Sequence, residues 1–186
     1  MTPALDATKI VAVLNGHGVH FVVIGAFAAI AQQAPIPATR QIELTPDADI
    51  DNLNRLSAAL QELGARIRAE RVADGLLFEN TGTSLGGAEV WNLICDYGEF
   101  DISFHPSGFV NGYRQFAAQA HSFKVGDQQV SIADLGDVIR SKEAAGRPKD
   151  LQVLPILYRH LRTLKADHQP EVIEADAGQN HLRGPR

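Results

Sequence analysis

The sequence predicts an α/β fold: a mixed, partly antiparallel sheet flanked by helices and finished by a C-terminal helical pair. Three observations carry this. Phe21 to Ile24 is a short apolar run that meets Gly25 and then helix-forming residues from Ala26, the pattern of a buried strand turning into a helix. Thr39 to Leu44 alternates, so that Gln41 and Glu43 share one face of a strand while Ile42 and Leu44 share the other. Further on, paired strand patterns meet at Asp96-Tyr97-Gly98-Glu99 and at Gly126-Asp127, two hairpin signals, before the last two helical segments.

In chain order, Leu5 to Asn15 carries Ile10, Val13 and Leu14 at helical spacing, with Asp6 or Thr8 to open the helix and Asn15 to Gly18 to stop it. The strand, Gly25 turn and short helix follow, then a loop punctuated by Pro35 and Pro37 and the alternating strand. Asp47, Asp49 and Asp51 crowd the start of a helix bearing Leu53, Leu56, Leu60 and Leu63; they read as capping residues at a helix end that favours negative charge. Between Ala65 and Gly87 the pattern is weak: a strand near Leu76 to Glu79 and a Gly-rich loop from Thr81 to Gly87. Glu89 to Ile94 and Phe100 to Phe104 form the first hairpin, with Phe100, Ile102 and Phe104 on one face and Asp101 and Ser103 on the other. Tyr113 to Ala120 reads as a short helix, and Ser122 to Val125 with Gln128 to Ile132 as the second hairpin. Asp134 opens a helix that Gly146 closes. Pro148 breaks the chain, Asp150 is placed to cap the last helix, and that helix runs to about Leu164. Residues 1–165 are read as one domain and 166–186, polar and aperiodic, as a disordered tail.

Composition narrows the function classes. The chain has 186 residues, 45% of them hydrophobic and 21% charged, enough for one domain with its own core. A net charge of −5 argues against attraction of nucleic acid over the whole surface and leaves room only for a local basic patch. A single cysteine, Cys95, excludes an internal disulfide framework and, flanked by Leu93 and Ile94, reads as a small buried apolar residue. No apolar run is long enough to span a membrane and no signal-peptide pattern opens the chain, so the expectation is a cytoplasmic protein without a membrane partner. Seven histidines show no metal-ligand spacing, and Trp91 reads as core.

Four stretches together resemble one family. Val22 to Ala26, Thr39 to Leu44, Phe100-Asp101-Ile102 and the run Ser141 to Asp150 (SKEAAGRPKD) match in order the minimal nucleotidyltransferases, and among them the AbiEii-type toxins. Those proteins read approximately Val-Val-Ile-Gly-Gly, Thr-x-Asp-Ile-Asp-Leu, Leu-Asp-Leu and Ser-Lys-x-Ala-Ala-x-Arg-Pro-Lys-Asp. The last run is the most specific part of the match, which covers roughly residues 11–161.

The resemblance implies a nucleotidyltransferase-like sheet, a nucleoside triphosphate and magnesium, because two ions held by carboxylates clamp the attacking and leaving oxygens of such a transfer. Carried over residue by residue, it puts Gln41, Glu43, Asp101 and Lys142 at the catalytic positions, with Glu43 and Asp101 as metal ligands. It puts Gly25, Ala26, Thr39, Arg40, Lys142, Arg147 and Lys149 around the nucleotide. The departures fall at the metal. Gln41 stands where the family has its first aspartate, a neutral amide for a charge, and Glu43 replaces the second with a side chain one methylene longer. A misplacement of about 1 Å already costs on the order of 100-fold in rate.

Three functions follow from that pattern. The first is a toxin-like protein with a degenerate magnesium site, weak or silent in transfer but able to bind nucleotide. The second is a non-catalytic, antitoxin-like regulatory module. The third is an active enzyme that moves a nucleotidyl group to RNA (a tRNA end) or to a protein hydroxyl, under control of a cognate antitoxin. Taken singly, Gln41, Glu43 and Asp101 also read as solvent-facing strand residues, and Arg140 and Lys142 as cations near a helix end.

Overall fold

The computed structural model describes residues 3–167. Its helices are α1 (Ala7–Gly16), α2 (Gly25–Ala31), α3 (Ile50–Glu62), α4 (Gly82–Leu85), α5 (Tyr113–Ala117), α6 (Leu135–Ala145) and α7 (Pro148–Asp167). Its strands are β1 (Phe21–Ile24), β2 (Gln41–Pro46), β3 (Arg66–Ala69), β4 (Val72–Leu76), β5 (Val90–Cys95), β6 (Gly98–Ser103), β7 (His121–Val125) and β8 (Gln128–Ile132). They form one sheet in the order β4-β3-β5-β6-β2-β1-β8-β7. The central β1–β2 pair is antiparallel, and parallel pairings flank it: β2 with β6 and β1 with β8. A mixed sheet of this kind, with α6 packed on α7 at the C-terminal end, is the architecture the sequence predicts.

Local chemistry sets most boundaries. Asp6 caps α1 by accepting from the Lys9 amide, and Asp49 caps α3 by accepting from the Asp51 amide, while Asp47 accepts from Asp49. The acidic cluster is therefore a capping device. Asp134 caps α6, and Gly146 ends it in the left-handed conformation (φ 61°) that a side chain would strain. β1 is buried at all four positions, as a strand between two neighbours requires, whereas β2 and β6 alternate on their way into the site. The core runs under the middle strands through Ile10, Leu14, Ile42, Leu44, Leu56, Leu60, Phe100 and Ile102. Cys95 lies there too, and burial raises its thiol pKa, which keeps it an unreactive apolar side chain.

Two expectations are corrected. The stretch from Ala65 to Gly87 is not a lone strand near Leu76 to Glu79. It is the hairpin β3–β4, followed by one helical turn, α4, boxed at its start by Thr81 and Ser84. β4 is almost wholly exposed at the sheet edge, so it lacks the apolar alternation that marks a half-buried strand. Asp150 is not the cap of the last helix: Pro148, with its preset φ, is the first helical residue and Asp150 lies inside the first turn. The helix continues to Asp167, so residues 166 and 167, read as the start of the tail, belong to it; the rest of the tail, 168–186, lies outside the described residues. Among the described residues no helix is long and apolar enough to cross a membrane.

Candidate functional site

The register of three strands builds the mouth of the site. Glu43 pairs with Ile24 of β1 on one side and with Asp101 of β6 on the other, and Gln41 pairs with Glu99. Partners across a sheet point to the same face, so Gln41, Glu43, Glu99 and Asp101 converge. Gly25 turns the chain from β1 into α2 with φ 69°, and the Glu43 carboxylate occupies the space that a Cβ at Gly25 would fill. Glycine is needed there both for the backbone and for the carboxylate beside it.

An arginine from the overlooked hairpin enters the same mouth. Arg68 of β3 donates to Asp101 Oδ1 at 2.9 Å, to Glu99 Oε2 at 2.7 Å and to Gln41 Oε1 at 3.2 Å. Gln41 Nε2 in turn donates to Asp101 Oδ2 at 2.5 Å and lies 3.5 Å from Glu43 Oε1. Asp101 titrates above the usual carboxylate range. Burial pushes it up, Arg68 pulls it down, and the Glu43 charge pushes it up again.

Next to this mouth lies a cavity of about 460 Å³, lined by Ala26, Thr39, Arg40, Gln41 and Glu43 from one side and by Lys142, Arg147, Lys149 and Asp150 from the other. The structure thus brings together Ala26, Thr39, Arg40, Lys142, Arg147 and Lys149. Gly25 and Asp101 stand behind the wall, Gly25 against Glu43 and Asp101 bonded to Gln41. Thr39 accepts from the Gln41 amide and donates to its carbonyl, fixing the start of β2. Asp150, 1% exposed, accepts from Lys142 Nζ at 2.7 Å and Arg147 Nε at 2.5 Å. Burial alone would raise its pKa, but those two cations outweigh it and hold the carboxyl below its ordinary value. Arg40 and Lys149 are exposed and have no carboxylate partner among the described residues. Arg140 is no part of this basic wall: it lies over the Phe109 ring at 4.0 Å and pairs with Asp137.

A second cavity, about 510 Å³, lies where the end of α2 meets β7 and α7; Phe123, Leu135 and Leu161 line it beside the His121–Asp134 pair. It gathers none of the site residues that the resemblance names. Arg68 and Glu99 are the site residues that sequence reading missed. The one signal was the alternation of Arg66-Ile67-Arg68-Ala69, four residues of strand pattern in a stretch otherwise without period.

The donor set can be compared with what a metal centre needs. Magnesium takes octahedral oxygen ligands and is held by carboxylates together with substrate phosphates. Here Gln41 turns its NH₂ toward Asp101, and both Asp101 oxygens already accept hydrogen bonds. Among the described residues no group of three or more His, Cys, Asp or Glu side chains is arranged to hold a metal ion.

A sheet with this order, a glycine turn into a short helix beside an acidic strand, and helices closing over its mouth define a nucleotidyltransferase fold. Solved structures bear this out at low sequence identity. The lincosamide antibiotic adenylyltransferase LnuA, solved with lincomycin bound, matches with a TM-score of 0.55 at 10% identity, over 84% of this chain and 98% of that one. The antibiotic-resistance factor ANT(2'')-Ia matches in its solution structure with a TM-score of 0.53 at 13% identity, over 87% and 88% of the two chains. Its crystal structure with adenylyl-2"-tobramycin matches at 0.51 and 14%, over 87% and 90%. No family model matches the chain, and no curated protein does.

Proposed function

We propose that this chain binds the phosphates of a nucleotide in the cavity between β2 and α6–α7, on a nucleotidyltransferase fold whose magnesium centre is degenerate, and that it transfers nucleotidyl groups weakly or not at all. The observation that carries the reading is the basic wall. Arg40, Lys142, Arg147 and Lys149 share one cavity with Gln41 and Glu43, and its volume lies within the range of small-ligand sites. Lys142 and Arg147 are oriented by the buried Asp150, and Arg40 and Lys149 are exposed in the same cavity, so its two carboxylates, Glu43 and Asp150, are set against four cations. That surplus suits a polyphosphate. On the metal side, Gln41 brings an amide where a ligand charge is needed, and Glu43 with Asp101 leaves too few carboxylates for two ions.

A second reading rests on the register itself. Glu43 and Asp101 are direct partners on one face, so they are the residues that would hold a single ion, which would supply charge neutralisation for slow transfer. With the Ser141 to Asp150 run, which resembles the AbiEii-type toxins, the acceptor would then be RNA, such as a tRNA end, or a protein hydroxyl, with an antitoxin as partner. A non-catalytic, antitoxin-like module uses the same cavity without transfer.

The test is a calorimetric titration of the purified chain with ATP, GTP, CTP and UTP. Saturable binding that weakens when Arg40 and Lys149 are both replaced by alanine is the expected result. If none of the four binds, the cavity is not a nucleotide site and the reading fails.

A further inference from the structure

The metal centre that the fold implies and the side chains in its place disagree, and Arg68 is where they part. We propose that Arg68 is a built-in cation standing in for the metal: its guanidinium neutralises Asp101 and Glu99, fixes Gln41, and keeps divalent ions out of the sheet mouth. The inference deepens the reading of a degenerate centre and rests on it.

The bonding argues for replacement as against a chance surface pair. A guanidinium is permanently charged and presents its donors in a rigid plane. Arg68 spends them on two carboxylates and an amide oxygen at 2.7–3.2 Å, and the guanidinium and both carboxylates are less than a third exposed. The bond to Gln41 Oε1 has a consequence for the amide. Had Gln41 offered that oxygen to an ion, it would have been a neutral ligand. Taken by Arg68, it leaves only the NH₂ group facing Asp101 and Glu43, a donor where a metal needs an acceptor. Asp101 then has one oxygen bonded to Arg68 and the other to Gln41. A divalent ion would have to compete with these donors for the Asp101 oxygens and sit beside a positive charge. Asp101 and Glu99 hold the guanidinium and Glu43 pairs with Asp101 across the sheet, so removing Arg68 leaves three neighbouring carboxylates open to a cation.

The proposal is tested by manganese binding without nucleotide, counting free Mn²⁺ by electron paramagnetic resonance. The wild-type chain is expected to show no saturable site. Arg68→Met, with its fold checked by circular dichroism, is expected to gain a saturable Mn²⁺ site, and adding Asp101→Asn should remove it. A folded Arg68→Met that gains nothing overturns the proposal. So does a wild-type chain that binds Mn²⁺ through Glu43 and Asp101. Should Arg68→Met not fold, carbon-detected NMR of the wild-type carboxyl groups decides. Asp101 and Glu43 signals that stay sharp as Mn²⁺ is added support the stand-in, and selective broadening overturns it. Because no nucleotide is present, failure here leaves the nucleotide titration to stand or fall alone.

Discussion

Asp101 on the sheet and Asp150 on α7 are each held by cations through bonds of 2.5–2.9 Å, yet their surroundings drive them in opposite directions. Asp150 is one carboxylate between two cations, and its pKa falls despite burial. Burial raises the pKa of Asp101, the single guanidinium it shares with Glu99 does not offset this, and the Glu43 charge adds to the rise. Part of the difference is stoichiometry: one carboxylate lies between two cations at 2.7 and 2.5 Å, whereas the other shares its one cation, at 2.9 Å, with a second carboxylate. The C-terminal cluster is satisfied and leaves positive charge over for a ligand. The sheet cluster sets Glu43, Glu99 and Asp101 against one guanidinium, the kind of charge crowding found at sites of chemistry.

The largest effect is expected from giving the sheet cluster back its transferase composition. Gln41→Asp with Glu43→Asp and Arg68→Met supplies three aspartates and removes the resident cation. That variant should show magnesium-dependent incorporation of labelled nucleotide into RNA or protein of a cell extract, on the order of 100-fold above wild type. Each single change should do far less, because groups that coordinate as a unit are strongly non-additive. A folded triple variant without activity would mean that the chain has diverged beyond its metal ligands.

On the other side of the cavity, Asp150→Ala strands two cations against a buried face. A loss of about 3 kcal/mol in a urea denaturation curve is expected, the low end for a buried pair, since Arg147 is 54% exposed. The pH dependence follows its sign. A folded pKa below the unfolded one gives stability that is present above the unfolded value of about 3.9 and is lost as pH falls through the folded value. The Asp150→Ala variant should lose that acid limb.

Asp101 carries the opposite sign. Its folded pKa lies above the unfolded one, so its contribution is lost as pH rises from about 3.9 through the raised value. Asp101→Asn should flatten that slope and change stability at neutral pH by less than about 1 kcal/mol. A large loss would show that the sheet cluster is an anchor like the other, and the comparison would collapse.

How much of this was legible in the sequence follows the same division. The C-terminal run from Ser141 to Asp150 is contiguous, so its cations could be named, although Asp150 passed for a cap because burial does not show in a helix start. Gln41, Glu43 and Asp101 were legible through the resemblance to the nucleotidyltransferases; period two puts Gln41 and Glu43 on one face, and only the β2–β6 register brings Asp101 to it. Arg68 was not: it lies 27 residues from Gln41 and 33 from Asp101 on a short, polar strand near the sheet edge, where no apolar alternation announces it. Its role exists only once β3, β5, β6 and β2 lie side by side.

The central claim is that a nucleotide is held here by side-chain cations and not through a metal. It is tested most directly by measuring ATP affinity of the wild-type chain in magnesium and in EDTA on the same preparation. The expected ratio is within about threefold, with the EDTA value the tighter, because magnesium withdraws negative charge from the triphosphate that Arg40, Lys142, Arg147 and Lys149 face. Affinity that rises about tenfold or more on adding magnesium would contradict it.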